Sequence, residues 1–196
     1  MIDLWDWRRQ VSDLYTRIRA MPDPHAAWTL WCDTRNRLFA GHSQSPIPAP
    51  ARTTFGGIPV FPYDPALRFM VPLTPVEGPA LHLEAGVDGT ITALPFARTS
   101  GLGALGGELT LHWIGGYGGG VFLPFTDATS GRETYGGGRY LLDTIKGADL
   151  GGQDGLVVLD FNFAYAPSCA HSDAYVCPLA PSGNRLSGEV LGGERK

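Results

Sequence analysis

The chain has 196 residues, 43% of them hydrophobic and 17% charged, with a formal net charge of −4. That length supports one substantial core, and this apolar content excludes a disordered chain. Lys and Arg are scattered with no basic stripe, and no apolar run approaches a membrane span, so neither nucleic acid nor a bilayer is an expected partner.

The opening segment, MIDLWDWRRQVSDLY, carries charge at every turn and has no apolar stretch of signal-peptide type, which predicts a cytoplasmic protein. Leu4, Trp7, Val11, Leu14, Tyr15 and Ile18 recur at three and four, and predict a helix over 3–19. MPDP at 21–24 breaks it. Asp23 is then an N-cap with Pro24 at the first helical position, and a second helix runs to about residue 40. Its inner face is Ala27, Trp28, Trp31, Thr34, Leu38 and Phe39. Both helices are amphipathic, so they pack on a sheet or on a partner chain.

Residues 41–57 read as a Pro/Ser-rich connector, extended because each proline pushes its predecessor out of the helical region. From 58 the pattern is β. Candidate strands cover 66–73, 79–85, 89–96, 106–114, 120–127, 134–145 and 155–164, punctuated by Gly, Pro or Asp. The expected fold is α+β: two N-terminal helices packed on a largely antiparallel, strongly curved sheet, barrel- or sandwich-like. After 165 the chain is irregular and ends in a polar tail.

Three glycine clusters raise the question of a phosphate loop. Phosphate binding at a Gly-rich loop needs a helix to follow, because its N-terminus supplies aligned N–H groups. GLGALGG at 101–107, GGYGGG at 115–120 and YGGGRY at 135–140 each run into a β-like segment, so no nucleotide cofactor is predicted. In FTDATSGRETYGGGRYLLD, 125–143, Gly131 sits at a hairpin turn, and Gly136–Gly138 lie inside a strand, where they bend it or make room beside it.

The polar residues that follow are the candidate site. Asp160 and Asn162 alternate against Leu159, Phe161 and Phe163, and the hairpin arm carries Arg139 and Tyr140. If the hairpin and the 155–164 strand form a meander, these groups meet across the sheet and Asp127 enters from the first arm. One reading is a solvated face; the other is a concave wall around a ligand. In the second, Arg139 binds an anionic or carbonyl group, Asp160 orients it or acts as a base, and Asn162 and Tyr140 donate hydrogen bonds.

Cys32 reads as a buried helix residue. Cys169, His171 and Cys177 are soft or borderline ligands suited to zinc, but paired Cys knuckles are missing, and an odd cysteine count argues against a disulfide framework. Cys169 is also a candidate nucleophile. His82 with Glu84, and His112 with Glu108, are a second metal-capable set. The rival to small-molecule binding is an interaction protein that forms a homodimer through Trp5, Trp7, Trp28 and Trp31.

RNRLFAGHSQSP (35–46), FPYDPALRF (61–69), FTDATSGRETYGGGRYLLD (125–143), LDFNFAYAPSC (159–169) and CPLAPSGNRL (177–186) together resemble the DUF1684 family of bacterial and archaeal proteins. The resemblance implies a single domain over nearly the whole chain and no particular activity. Its signature positions here are His42, Asp127, Thr134, Tyr135, Arg139, Tyr140, Asp160, Asn162, Cys169, Cys177 and Asn184. Ser43, Ala166 and His171 depart from the family pattern, and the last of these weakens the zinc reading. The site expected from residues and resemblance together is Asp160 and Cys169 as catalytic groups, with His42, Asp127, Tyr135, Arg139, Tyr140, Asn162 and Asn184 binding the ligand. No metal and no cofactor are expected.

Overall fold

The computed structural model describes residues 1–86 and 89–196. Helix α1 spans Ile2–Ala20 and buries Leu14, Tyr15 and Ile18; Asp3 in its first turn and Arg17 and Arg19 in its last complement the helix dipole. Helix α2 spans Pro24–Gly41. It starts where expected because the Asp23 carboxylate accepts from the His25 N–H at 2.9 Å. The two helices pack on each other, with Trp31 Nε1 donating to the Tyr15 hydroxyl at 3.2 Å in their shared core.

The connector is not wholly extended. A single helical turn, α3 (Ala49–Arg52), interrupts it, with Pro50 at a first-turn position that needs no N–H donor. Arg52 donates to the carbonyls of His42, Ser45 and Ile47, which fixes the loop to the end of α2.

The strands are β1 (Arg68–Val71), β2 (Leu73–Pro75), β3 (Leu81–Glu84), β4 (Thr90–Thr99), β5 (Thr110–Ile114), β6 (Gly120–Phe125), β7 (Arg139–Asp143), β8 (Gly152–Gln153) and β9 (Leu156–Asp160). All named pairings are antiparallel. The larger sheet runs β2-β4-β5-β6-β7, with β3 also on β4; the smaller runs β1-β9-β8. Bulges at Pro95/Ala97 and Leu123/Pro124 bend the larger sheet. One apolar cluster takes Val71 and Leu159 from the smaller sheet and Leu111, Leu123 and Leu141 from the larger, so the two pack as layers. Among the described residues no ladder closes the larger sheet into a barrel.

Two expectations about the hairpin change. Gly136–Gly138 do not lie inside a strand: they form the turn before β7. Gly138 has φ +93°, and a Cβ there would lie 2.6 Å from the Phe125 carbonyl oxygen and 2.8 Å from the Ala180 Cβ. The glycine allows a close approach. The hairpin and the 155–164 segment also form no meander. β9 pairs with β1, and 161–163 turn into a 3₁₀ helix capped by Asp160.

A second core joins the helices to the smaller sheet through Leu14, Ile18, Ala27, Trp31, Val158 and Phe163. The C-terminal segment is not a loose polar tail. Leu186, Val190 and Glu194 are buried, and the Glu194 N–H donates to the Ala164 carbonyl at 2.8 Å. No described helix is long and apolar enough to cross a membrane.

Candidate functional site

The expected site residues fall into separate places. Arg139 opens β7 opposite Phe125 and is 1% exposed. Its Nη2 donates to Asp127 Oδ2 at 2.8 Å and to the Val190 carbonyl at 3.0 Å. Its Nη1 donates to the carbonyls of Gly192 and Glu194, and the guanidinium lies over the Phe125 ring. Only Nε lacks a partner. Burial pushes the Arg139 pKa down while Asp127 opposes that shift. Asp127 is held in turn by the N–H groups of Thr129 at 2.6 Å and Val190 at 3.4 Å. Arg139 and Asp127 thus meet as a sealed pair that gathers the C-terminal segment.

Three further residues brace loops. The Tyr140 hydroxyl donates to the Pro178 carbonyl at 2.5 Å, and burial drives its pKa far above the usual phenol value. Asn184 accepts from the Thr110 N–H and donates to the carbonyls of Thr110 and Pro124, all within 2.9 Å. Asn162 exchanges hydrogen bonds with both backbone groups of Asp64 at 2.9 and 2.8 Å. His42 lies far along the chain from these, at the end of α2, with Nε2 3.3 Å from Asp6 Oδ2.

Asp160 stands apart from the Arg139 pair. It ends β9, in register with Arg68 of β1, and is also 1% exposed. Its Oδ1 accepts from Asn162 N at 3.0 Å and Asn162 Nδ2 at 2.8 Å. Its Oδ2 accepts no hydrogen bond among the described residues. Burial raises the Asp160 pKa; the Asn162 bonds and the charge of Arg68 offset that only in part. The residue lines a groove of about 220 Å³ between the α1–α2 junction and the smaller sheet. Arg19 and Arg68 supply positive charge there, and Met21, Met70, Val158 and Phe163 supply apolar wall. A second cavity, of about 10 Å³, lies beside Arg35 and Glu194. Neither of these two cavities is lined by a residue of 125–143; of the expected site residues, Asp160 lines the groove.

The thiols form a third cluster. The Tyr135 hydroxyl is 3.5 Å from Cys169 Sγ, and the Cys169 N–H donates to Cys177 Sγ at 3.4 Å. The Cys169 contact, and then burial, push the Tyr135 phenol up to about 12. His171 does not join them in a ligand set: its ring packs edge-on against Phe39 at 5.1 Å. Glu108 is engaged elsewhere, accepting from Thr99 Oγ1 and the N–H groups of Gly101 and Leu102. Among the described residues no three His, Cys, Asp or Glu side chains converge to hold a metal ion.

Sequence reasoning missed Arg19, Arg68, Arg35 and Glu194. Glu194 takes Arg35 at 2.5 Å on one oxygen and the Ala166 N–H at 2.8 Å on the other, with both side chains nearly sealed. Arg68 had a signal, since it lies in the FPYDPALRF phrase, but nothing local ties that phrase to Asp160.

No curated protein matches the chain. Among solved structures it is similar to the solution NMR structure of an uncharacterized protein from gene locus rrnAC0354 of Haloarcula marismortui. The two are 38% identical, with a TM-score of 0.58, over 84% of this chain and 90% of that one. A family described as "Protein of unknown function (DUF1684)" matches residues 53–195, which takes in the smaller sheet, the hairpin and the thiol cluster but not the 35–46 phrase. The chain therefore belongs to the DUF1684 family.

Proposed function

We propose that the protein binds a small polar molecule with an anionic group, and that the binding place is the groove at Asp160. One observation carries this reading: a desolvated carboxylate with one oxygen held and the other without a partner, at the edge of a groove that two arginines line. Arg19 and Arg68 suit a carboxylate or phosphate. Asp160 suits a ligand N–H or O–H on the same molecule, and the methionines and Phe163 cover an apolar stem. At about 220 Å³ the groove is below the roughly 300–1,000 Å³ of drug-sized sites, which favours a small metabolite.

In this reading Asp160 is also the residue for proton transfer, because its raised pKa brings it closer to neutral operating conditions. Asn162 orients it. Arg139, Asp127, Tyr140 and Asn184 support the walls from a distance and are not offered to the ligand. The homodimer reading is less favoured: Trp31 is in the core, Trp7 packs on Phe39 and His42, Trp28 stacks on His25, and Trp5 alone is largely free, at 64% exposed.

The test is a titration followed by amide NMR, with α-amino acids, hydroxy acids and phosphate monoesters as the panel. Expected are shifts confined to residues around 18–27, 68–70 and 150–163, and at least a tenfold affinity loss in Asp160→Asn and Arg68→Ala. That loss corresponds to about 1.4 kcal/mol or more per contact. Shifts centred on 125–143, or equal binding by both variants, would overturn the reading.

A further inference from the structure

The thiol cluster carries an inference independent of the groove. Cys169 and Cys177 are both free and half-buried. The Cys169 N–H reaches Cys177 Sγ at 3.4 Å, which brings that sulfur within reach of the Cys169 side chain, and a disulfide needs such close approach. The segment between them is fixed at both ends. The Ala166 N–H is held by Glu194 at 2.8 Å; the Pro178 carbonyl is held by Tyr140 at 2.5 Å, and the Ala180 N–H by the Gly137 carbonyl at 3.2 Å. Between these anchors Asp173, Ala174, Tyr175 and Val176 are exposed, so a small reactant can approach. Cys32 is not part of this group: it sits in α2, where burial pushes its thiol up to about 12.

We infer that Cys169 and Cys177 are a reversible thiol–disulfide couple whose co-reactant is a low-molecular-weight disulfide. Tyr135 is the positioning residue: its hydroxyl lies at hydrogen-bond distance, 3.5 Å, from Cys169 Sγ and holds that sulfur in place. Burial raises the Cys177 pKa, and Cys177 takes the resolving role. The Cys169 thiolate attacks one sulfur of the external disulfide; that S–S bond breaks, one thiolate leaves, and a mixed disulfide forms on Cys169. The Cys177 thiolate then attacks the Cys169 sulfur and expels the second thiolate. Two cysteines are oxidised, the external disulfide is reduced to two thiols, and the two protons lost by the cysteines go to the leaving thiolates. The new bond staples the exposed 169–177 loop between anchors already in place.

The test uses the full chain equilibrated in buffers of graded oxidised to reduced glutathione, then alkylated and read by intact mass and peptide mapping. Expected in oxidising buffer is a loss of two hydrogens mapped to a Cys169–Cys177 cross-link, reversed in reducing buffer, with the melting temperature raised by about 5 °C. Cys32→Ser leaves this unchanged. Cys177→Ser stops at the glutathione adduct on Cys169, and Tyr135→Phe slows adduct formation several-fold while reaching the same product. Glutathione adducts without the cross-link in the wild-type chain, cross-links between chains only, or no oxidation in the most oxidising buffer would each overturn the inference. The wild-type peptide map decides this even if a variant fails to fold.

Discussion

Arg139 and Asp160 are both buried to 1% exposure, and both carry a charge into the interior, yet their surroundings differ in kind. Arg139 meets one carboxylate and three carbonyls. Asp160 has two bonds on one oxygen, none on the other, and a groove beside it. The first environment is closed, and the charge works on the protein itself, tying the C-terminal segment to β7. The second opens onto a groove, which makes Asp160 the candidate for contact with something outside the protein. Burial of a polar residue therefore does not rank candidates here; whether a groove opens beside its charged group does.

The largest expected effect tests the closed side. Arg139→Ala leaves Asp127 sealed without its partner, and three carbonyls without a donor. Loss of one partner from a buried pair costs about 3–5 kcal/mol, so the urea midpoint drops sharply with little change in slope. Arg139→Met combined with Asp127→Leu recovers the part due to the stranded carboxylate but not the part due to the carbonyls. A loss under about 1 kcal/mol for Arg139→Ala would break the comparison, because Arg139 would then be no more committed to the fold than Asp160 is.

A middle-sized effect separates two glycines of the same hairpin. Gly131 and Gly138 both have left-handed φ, +85° and +93°. A Cβ on Gly131 meets nothing within 4 Å, whereas on Gly138 it lies 2.6 Å from the Phe125 carbonyl oxygen. Gly131→Ala should cost about 1–2 kcal/mol from backbone strain alone. Gly138→Ala should cost at least about 1 kcal/mol more, since β6 must shift to admit the methyl. Equal losses in thermal melts would show that the approach of β6 to the turn is soft.

These contrasts mark what was legible in the sequence. The helices were, because a 3.6-residue period, a Pro-containing break and the Asp23 cap all act within one or two turns. The apolar character of strands and the turn at Gly131 were readable for the same local reason. The partner of each strand was not: alternation shows that Asp160 and Asn162 differ from their neighbours, but not that β9 pairs with β1, whose residues lie about ninety positions earlier. The groove was hidden because Arg19, Arg68 and Asp160 arrive from a helix and two strands distant in sequence. The C-terminal tail misled for a physical reason: GGERK looks solvated, yet Glu194 is buried because Arg35 of α2 neutralises it.

The smallest effect in stability is the most informative about Asp160. At neutral pH Asp160→Asn should change stability by no more than about 1 kcal/mol, and in the favourable direction, because it removes a desolvated charge while its amide oxygen still accepts from Asn162. The sign can be checked with pH. Burial holds the folded-state pKa of Asp160 above the usual 3.8, so the folded protein binds this proton more tightly than the unfolded chain does. The wild-type protein therefore gains stability, relative to Asp160→Asn, as pH falls through that raised value, and the gain is complete below 3.8. The gap between the two melting curves should narrow in acid. If it widens instead, the fold stabilises the Asp160 carboxylate. Asp160 then belongs with Arg139 on the closed side, and the proposed site loses its central group.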